Sequence, residues 1–279
     1  MFLVYFLKTM QDVVSRDVLV IVPTHSRDHT FSYTIDSILN QSYKNFNLAI
    51  IGDGVNEEYK KNIQKIVNSD DRIFFYDNKK NRDNGRTGEV HRNKPIQDFN
   101  PKYITYCGDD DLLISNHIEK MLEEIQGYNF VHPIAYMVKQ KNNNSEYLGR
   151  FLQNRVDSIY LKAYNFISLT GAMHTKELFD KTDGWTPAKG GRGTDHNMWL
   201  KFLEVDGFKG KSSLFSTTIK INRSSCKKQD KVTLEDELDF IKEWSEAIKD
   251  KGFIEKWNSY IDQVVANKKG NPIIYDIKQ

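Results

Sequence analysis

Cysteine is scarce: two residues, Cys107 and Cys226, in a chain of 279. They form no Cys-x-x-Cys and no metal-ligand spacing, which argues against a disulfide framework or a zinc site and suits a reducing, cytoplasmic setting. Excess charge is also missing. Forty Lys and Arg face 38 Asp and Glu, leaving a net charge of +2, so no strongly basic face for nucleic acid is indicated. No long apolar run exists. Met1 to Leu7 is apolar but too short to span a bilayer, and it lacks the flanks of a signal peptide. It reads as a packing segment, with a peripheral membrane or partner contact as the lesser alternative. No internal repeat and no low-complexity linker interrupts the chain. No Gly-x-Gly-x-x-Gly follows a strand, which disfavours a dinucleotide site, and no P-loop sequence is present.

What is there reads as alternating strands and helices. Asp17 to Pro23 holds five consecutive aliphatic residues, the mark of a strand buried on both faces. The spacing predicts a helix over Phe31–Leu39, a strand over Phe46–Ile51, a helix over Glu57–Val67 and a strand over Ile73–Tyr76. Such βαβαβ alternation implies right-handed crossovers and a mostly parallel sheet. Asn78–Gly88 reads as a functional loop. Glu89–Phe99 is a helix interrupted by Pro95, Tyr103–Cys107 a fourth strand, and Ser115–Ile125 a helix with Ser115 as its cap. Phe130–Lys139 reads as one strand, and Asn142–Asn144 as a turn.

Beyond this the alternation becomes irregular. A helix is expected over Ile159–Leu169, a short strand over Gly171–His174 and a short helix over Thr175–Lys181. A Gly/Pro-rich loop (Gly184–Gly193), a helix (Thr194–Val205) and a strand (Leu214–Asn222) follow. Ser224–Asp230 is a basic loop. From Leu234 one or two helices place Phe240, Trp244, Ile248, Phe253, Trp257 and Ile261 inward. The division expected is an α/β domain over residues 1–225, its nucleotide half about 17–125 and its acceptor half about 126–225, with a C-terminal helical extension over 226–279.

The sharpest chemical feature is Asp109-Asp110-Asp111 at the end of the fourth strand. Three adjacent carboxylates repel one another unless a positive charge joins them. A divalent cation, Mg²⁺ or Mn²⁺, bridging carboxylate to substrate phosphates would do this, and ligands of parallel α/β sheets bind at this end of the strands. The alternative is a solvated acidic turn. Gly52-Asp53-Gly54 also lies at a strand end, where Asp53 could accept from a base N–H or simply make a turn. Pro23-Thr24-His25-Ser26-Arg27 follows the first strand and could wrap a nucleotide. The lysine pair Lys79-Lys80 reads as a solvated face.

In order and spacing, Pro-Thr-x-Ser-Arg, then Ile-Gly-Asp-Gly, then Gly88-x-x-x-Arg92-Asn93, then Tyr-Cys-Gly-Asp-Asp-Asp-Leu-Leu resembles the family 2 glycosyltransferases of the GT-A fold. The last segment resembles SpsA-like members in particular. The likeness covers about Val18 to Ile125 and is looser to about Val205. It implies a Rossmann-like nucleotide-binding sheet and a sugar moved, with inversion, from a nucleotide donor, UDP preferred, to a hydroxyl acceptor in surface-glycan synthesis. It assigns Asp53 to the nucleobase, Asp109 to the ribose and Asp110 to the metal, with Asp111 assisting. Arg86 and Arg92 fall in the donor stretch beside Pro23, Thr24, His25 and Arg27. Asp195, after the Gly-rich loop, takes the place of the base; its other reading is an acidic residue at a helix start capped by Thr194.

His174 is expected at the acceptor or pyrophosphate side, or else as a satisfied buried histidine. Trp185 is a floor for the sugar, or else core. No histidine follows His196, so a second metal ligand is sought at Asn222 or nearby, and Arg223–Lys228 is a candidate lid. The C-terminal helices are candidates for packing on the core, for a homodimer or for a membrane surface. A metal-dependent nucleotidyltransferase and an inactive sugar-nucleotide-binding protein are the rival readings; the first lacks the glycine and lysine expected after strand one.

Overall fold

A computed structural model describes residues 14, 16–139, 145–148, 165, 167–222, 234–250 and 252–266. The expectations for Met1–Leu7, Asn142–Asn144, most of Ile159–Leu169 and Arg223–Lys228 fall outside them.

The nucleotide half forms as its periodicity predicts. Strand β1 (Val18–Thr24), helix α1 (Asp28–Leu39), β2 (Phe46–Asp53), α2 (Glu57–Val67) and β3 (Ile73–Asn78) follow in turn. Along β1, Val18, Val20 and Val22 enter one core, with Phe31, Ile35 and Ile63. Leu19 and Ile21 enter the core on the other face. A strand with period-two side chains buried on both faces must be apolar throughout, and this one is. The Asn56 side chain caps α2 by accepting from the Tyr59 N–H at 2.8 Å. A single 3₁₀ turn (Glu89–Arg92) leads into α3 (Asn93–Phe99). Pro95 lies in the first turn of α3, where its missing N–H costs no helical hydrogen bond, so it does not interrupt the helix.

Next come β4 (Tyr103–Tyr106), the two-residue β5 (Leu112–Leu113) and α4 (His117–Glu124), capped by Asn116 rather than Ser115. Phe130–Lys139 is not one strand. It breaks into β6 (Phe130–His132) and β7 (Ala135–Lys139), and the described β8 (Ser145–Leu148) pairs with β7. Pro133 has no N–H to continue the ladder, and Ile134 N–H instead donates to Phe215 O at 2.9 Å. After β9 (Met173–Thr175), α5 (Lys176–Asp180) and α6 (Thr194–Glu204) comes β10 (Gly210–Ser212), which the sequence did not signal; the strand expected over Leu214–Asn222 forms only as β11 (Thr218–Asn222).

The segments β6–β7 and β10–β11 each pass from one sheet to the other. The central sheet has the order β10-β6-β9-β4-β1-β2-β3, and the second sheet β5-β11-β7-β8. In the central sheet β9 runs antiparallel between β4 and β6; the other pairings are parallel. In the second sheet β7 and β11 pair in parallel.

Helices α7 (Leu234–Ala247) and α8 (Phe253–Ala266) cover the second sheet. The six inward residues expected of them are all buried, Trp244 at 0% and Trp257 at 1% exposure. Trp257 Nε1–H donates to Ser216 O at 2.7 Å, and Tyr136 and Tyr260 join through their hydroxyls at 2.5 Å. The helices therefore complete the core of the α/β unit, and the aromatic face that a dimer or a membrane would use is already covered. Among the described residues, no helix is long and apolar enough to cross a membrane. Trp257→Ala is expected to lower stability by about 3–5 kcal/mol, read as the midpoint of urea unfolding; a loss under about 1 kcal/mol would mark the helices as a loose appendage.

Candidate active site

A cleft of about 400 Å³ opens at the carboxyl ends of β1, β2 and β4, where open α/β sheets place their ligands. The end of β1 contributes Pro23 and Thr24, and the loop after it His25 and Arg27; β2 contributes Asp53; the loop and turn after β3 contribute Arg86 and Arg92. Asp109 comes from the end of β4, and Asp195 from the first turn of α6. Nine residues singled out in the sequence thus line one cleft. His174, Trp185, Asp110 and Asp111 stand around it in different roles.

Asp53 lies at one end, 3% exposed. The Lys80 ammonium pairs with its Oδ2, so Lys80 belongs to the site and not to a solvated face. Among the described residues Oδ1 meets no donor and is left for a ligand N–H. His25 Nδ1 bonds the Asp53 carbonyl at 2.7 Å. Gly88, at φ 62°, passes so close that a Cβ would sit 2.6 Å from the Asp53 carboxyl carbon; only glycine allows both the turn and the approach.

The three adjacent aspartates have separate environments. Asp109 accepts from Thr24 Oγ1 at 2.8 Å. Burial raises its pKa, against the pull of the Thr24 hydrogen bond and the Arg27 charge. Asp110 is partly exposed. Burial first, then the charges of Asp111 and Asp109, push its carboxyl up to about 8, while Lys220 and Arg27 oppose the rise. Asp111 is 0% exposed. It accepts from Ile221 N–H at 3.0 Å, from the Lys220 ammonium at 3.1 Å and from the Thr170 hydroxyl. That carboxylate ties β11 and the loop before β9 to the strand end, so the oxygens of Asp111 are already engaged in anchoring the fold. Gly108 is small for the same reason: a Cβ there would meet Asp111 Oδ2 at 2.8 Å.

Arg92 is 2% exposed. Its Nη2 donates to Thr87 Oγ1 at 3.2 Å, and its guanidinium lies 4.4 Å over the Trp185 ring. Among the described residues Nε and Nη1 have no partner. Burial pulls its pKa down, and the charges of Glu89, Asp195 and Asp53 work the other way. Trp185, at 1% exposure, and His174, at 0%, form the wall behind it rather than a sugar pocket. His174 Nδ1 faces the Thr175 carbonyl at 3.0 Å, so Nδ1 carries the proton and Nε2 accepts from the Tyr106 hydroxyl at 2.8 Å. Trp185 Nε1–H donates to Tyr106 Oη at 3.2 Å. Burial lowers the His174 pKa to about 4, which keeps the ring neutral and this chain of bonds intact. Aromatic neighbours with every polar atom satisfied make a rigid backing, the second of the two readings open for each residue.

Two carboxylates invisible to motif reading shape the rim. Glu89 is fully buried. Burial opposes its charge, but the backbone N–H groups of Thr87 and Ala188 and the Thr87 hydroxyl outweigh it and hold the carboxyl below its usual range. It thereby ties the Arg86–Gly88 loop to the loop before α6. Glu237, on α7, takes Arg27 Nη1 and His29 Nε2 on the same oxygen, each at 2.9 Å. The C-terminal helices therefore orient a residue of the cleft, a contact 210 positions apart in sequence.

Asp195 is the acidic residue in the first turn of α6. Gly193, not Thr194, is the N-cap. Asp195 Oδ1 accepts from His196 N–H at 2.8 Å, and the positive end of the helix favours its charge. Placed in the cleft with Arg92 and Asp109, it can accept a proton from a bound hydroxyl.

For a divalent cation, Asp110 and Asp109 fit. A partly exposed carboxyl pushed up by burial and by the charges of its neighbours is one that a cation would return to its ionised form. Among the described residues no group of three or more His, Cys, Asp or Glu side chains is arranged to hold a metal. The fit is therefore to an ion held by one or two carboxylates and completed by substrate phosphates and water, the habit of Mg²⁺. The Asn222 side chain lies outside the described residues.

The chain is similar to known proteins. The model of the family described as "Glycosyl transferase family 2" matches residues 19–183. A GalNAc(5)-diNAcBac-PP-undecaprenol beta-1,3-glucosyltransferase of Campylobacter jejuni is 28% identical over 135 residues, 48% of this chain and 43% of that one. The Escherichia coli UDP-Glc:alpha-D-GlcNAc-diphosphoundecaprenol beta-1,3-glucosyltransferase WfgD is 26% identical over 137 residues, 48% of this chain and 50% of its own. The aligned part thus spans half or less of these curated relatives. Among solved structures, S. aureus TarS 1-349 in complex with UDP-GlcNAc superposes with a TM-score of 0.57 at 13% identity, covering 90% of this chain and 71% of TarS. The fold is therefore the GT-A fold that the order of motifs implies. With its motifs, its sheet and more than half of its length in agreement, the chain belongs to glycosyl transferase family 2.

Proposed function

We propose that the chain moves a sugar, with inversion, from a UDP-sugar to a hydroxyl of a glycan carried on a membrane lipid. The observation that carries this is the single cleft joining Asp53, Arg92, Asp109 and Asp195. Support for the donor comes from the orphan Asp53 Oδ1, which suits the imide N–H of uracil, and from the UDP-GlcNAc held by TarS. Support for the acceptor comes from the undecaprenol-linked substrates in the names of two relatives. Such an acceptor would bring the chain to a membrane surface.

In this reading Asp53 takes the base, Asp109 the ribose, and Arg92, with its unpaired N–H groups, the diphosphate. A divalent ion held at Asp110 would supply Lewis-acid stabilisation of the leaving diphosphate. Asp195 removes the proton of the acceptor hydroxyl. That oxygen forms the new bond to the anomeric carbon from the face opposite the diphosphate, whose bond to the same carbon breaks with its electron pair. The transferred proton ends on Asp195.

Calorimetry with UDP, GDP and dTDP, each with and without Mn²⁺, followed by a donor-hydrolysis assay, tests the reading. UDP should bind tightest, and Asp110→Ala should lower turnover by about 10²-fold or more with the melting curve of a folded protein. Undiminished turnover in that variant would sink the site assignment. Binding without any turnover in the unmodified protein would favour the sugar-nucleotide-binding alternative.

A further inference from the structure

One end of the cleft is built by a short piece of chain. Strand β2 ends at Asp53 and β3 at Asn78, and the two residues are partners in the sheet. Gly54 N–H then donates to Asn78 O at 2.7 Å. Gly54, at φ 70°, lies so close to the chain leaving β3 that a Cβ would sit 2.6 Å from Lys80 Cβ. Lys80 is thereby held against the turn after β2, with its ammonium on Asp53 and its side chain in the lining of the cleft.

Lysine and aspartate divide the polar groups of this end between them. A lysine ammonium has three donors. Asp53 Oδ2 takes one, and Arg86 O, at 3.3 Å, takes another. The third remains, on a side chain that is 43% exposed. The Asp53 side chain is 4% exposed, and among the described residues its Oδ1 has no donor. A ligand therefore meets one free acceptor, Oδ1, with a cationic donor next to it. The second acceptor, Oδ2, is already occupied.

That pattern separates the nucleobases. Uracil carries one imide N–H flanked by two carbonyl oxygens, which matches one acceptor and an adjacent donor. Guanine sets a ring N–H beside an amino group, two donors that together need both oxygens of a carboxylate. With Oδ2 held by Lys80, the amino group would be buried unpaired, which is costly. Cytosine presents an unprotonated ring nitrogen, an acceptor against an acceptor.

We propose that Lys80 is a specificity-determining residue: its ammonium donates to a uracil carbonyl, and its hold on Asp53 Oδ2 rejects guanine. This rests on the reading of the cleft as a nucleotide-sugar site. A site that hydrogen-bonds a substrate group in this way discriminates strongly against a base that lacks it. Lys80 stands 27 positions from Asp53, so the spacing of the Gly-Asp-Gly turn does not announce it.

The test is calorimetry of UDP and GDP binding to the full chain in Mn²⁺, for the unmodified protein and for Lys80→Met. The ratio of the two affinities is read because a loss of stability acts on both nucleotides alike and cancels. The unmodified protein should prefer UDP to GDP by about 10²-fold. Lys80→Met removes the donor to uracil and frees Oδ2 for guanine, so the preference should fall by about tenfold or more. A merely structural Lys80 would weaken both nucleotides equally, and an unchanged ratio would overturn the proposal. If Lys80→Met does not fold, 2-thio-UDP and 4-thio-UDP put the same question to the unmodified protein. Sulfur accepts poorly, so one of the two should bind about tenfold more weakly than UDP; equal binding of all three would overturn the proposal. Failure of the unmodified protein to bind either UDP or GDP would overturn the reading of the cleft, and this proposal with it.

Discussion

Asparagine in place of Asp195 should lower turnover by about 10²–10⁴-fold and leave UDP affinity within about twofold. The substitution keeps size and one oxygen, so the bond from His196 N–H to Oδ1 can persist and α6 keeps its start. What is lost is the ability to hold a proton. Because the step concerned is removal of the acceptor proton, the defect should lie in kcat, with the donor KM little changed. Donor hydrolysis, which uses water in place of the acceptor, should fall as well. An Asp195→Asn protein with near-normal transfer would leave Asp195 with only its other role, a favourable charge at a helix N-terminus.

Arg92→Met should have two effects of opposite sign. UDP affinity should fall by about 10²-fold, because the guanidinium assigned to the diphosphate is gone. The free protein should become more stable, by about 1–3 kcal/mol, or a few degrees in Tm. The physical reason is the burial of a cation at 2% exposure with two of its nitrogens unpartnered among the described residues. Unpaired buried donors are costly, and the cost is recovered only when a ligand supplies acceptors. Methionine fills similar space, and its thioether packs well against the Trp185 ring that now stacks under the guanidinium. Glu89, Asp53 and Asp195 lose a nearby positive charge, which sets the upper limit of the gain. Differential scanning calorimetry and UDP titration on the same preparation read both effects. Unchanged UDP affinity together with a lower Tm would make Arg92 a structural cation.

The nucleotide half was legible because its signals are local. A strand buried on both faces must be apolar at every position, as Val18 to Val22 are. The helices between the strands show one apolar stripe, and the chemically rich positions fall just past the strand ends. Asp53 and Asp109 could therefore be picked out before their neighbours were known, whereas Arg92 was reached only through the resemblance to the family. The second half misled where continuity was assumed. Phe130–Lys139 looks like one strand, but Pro133 withholds an N–H and the chain changes sheet there. His174, Trp185 and Asp111 were ambiguous for a different reason. A histidine, a tryptophan and an aspartate look the same in sequence whether they face a ligand or a partner in the core. Tyr106 and Thr170, which decide the matter for these residues, lie 68 and 59 positions away.

The acidic cluster shows the same division. By itself the sequence determined that three carboxylates stand together at a strand end and that some positive charge must join them, because like charges repel wherever the chain puts them. Only the tertiary structure decided which carboxylate is committed and which charged residues of the chain stand near the cluster. Asp111 is bound by groups from β11 and from the loop before β9, and Lys220 arrives from the second sheet. Arg27, whose charge also reaches Asp109 and Asp110, is itself held by Glu237 from the C-terminal helices. Charge acts through space, and the folded chain alone determines which distant residues share that space.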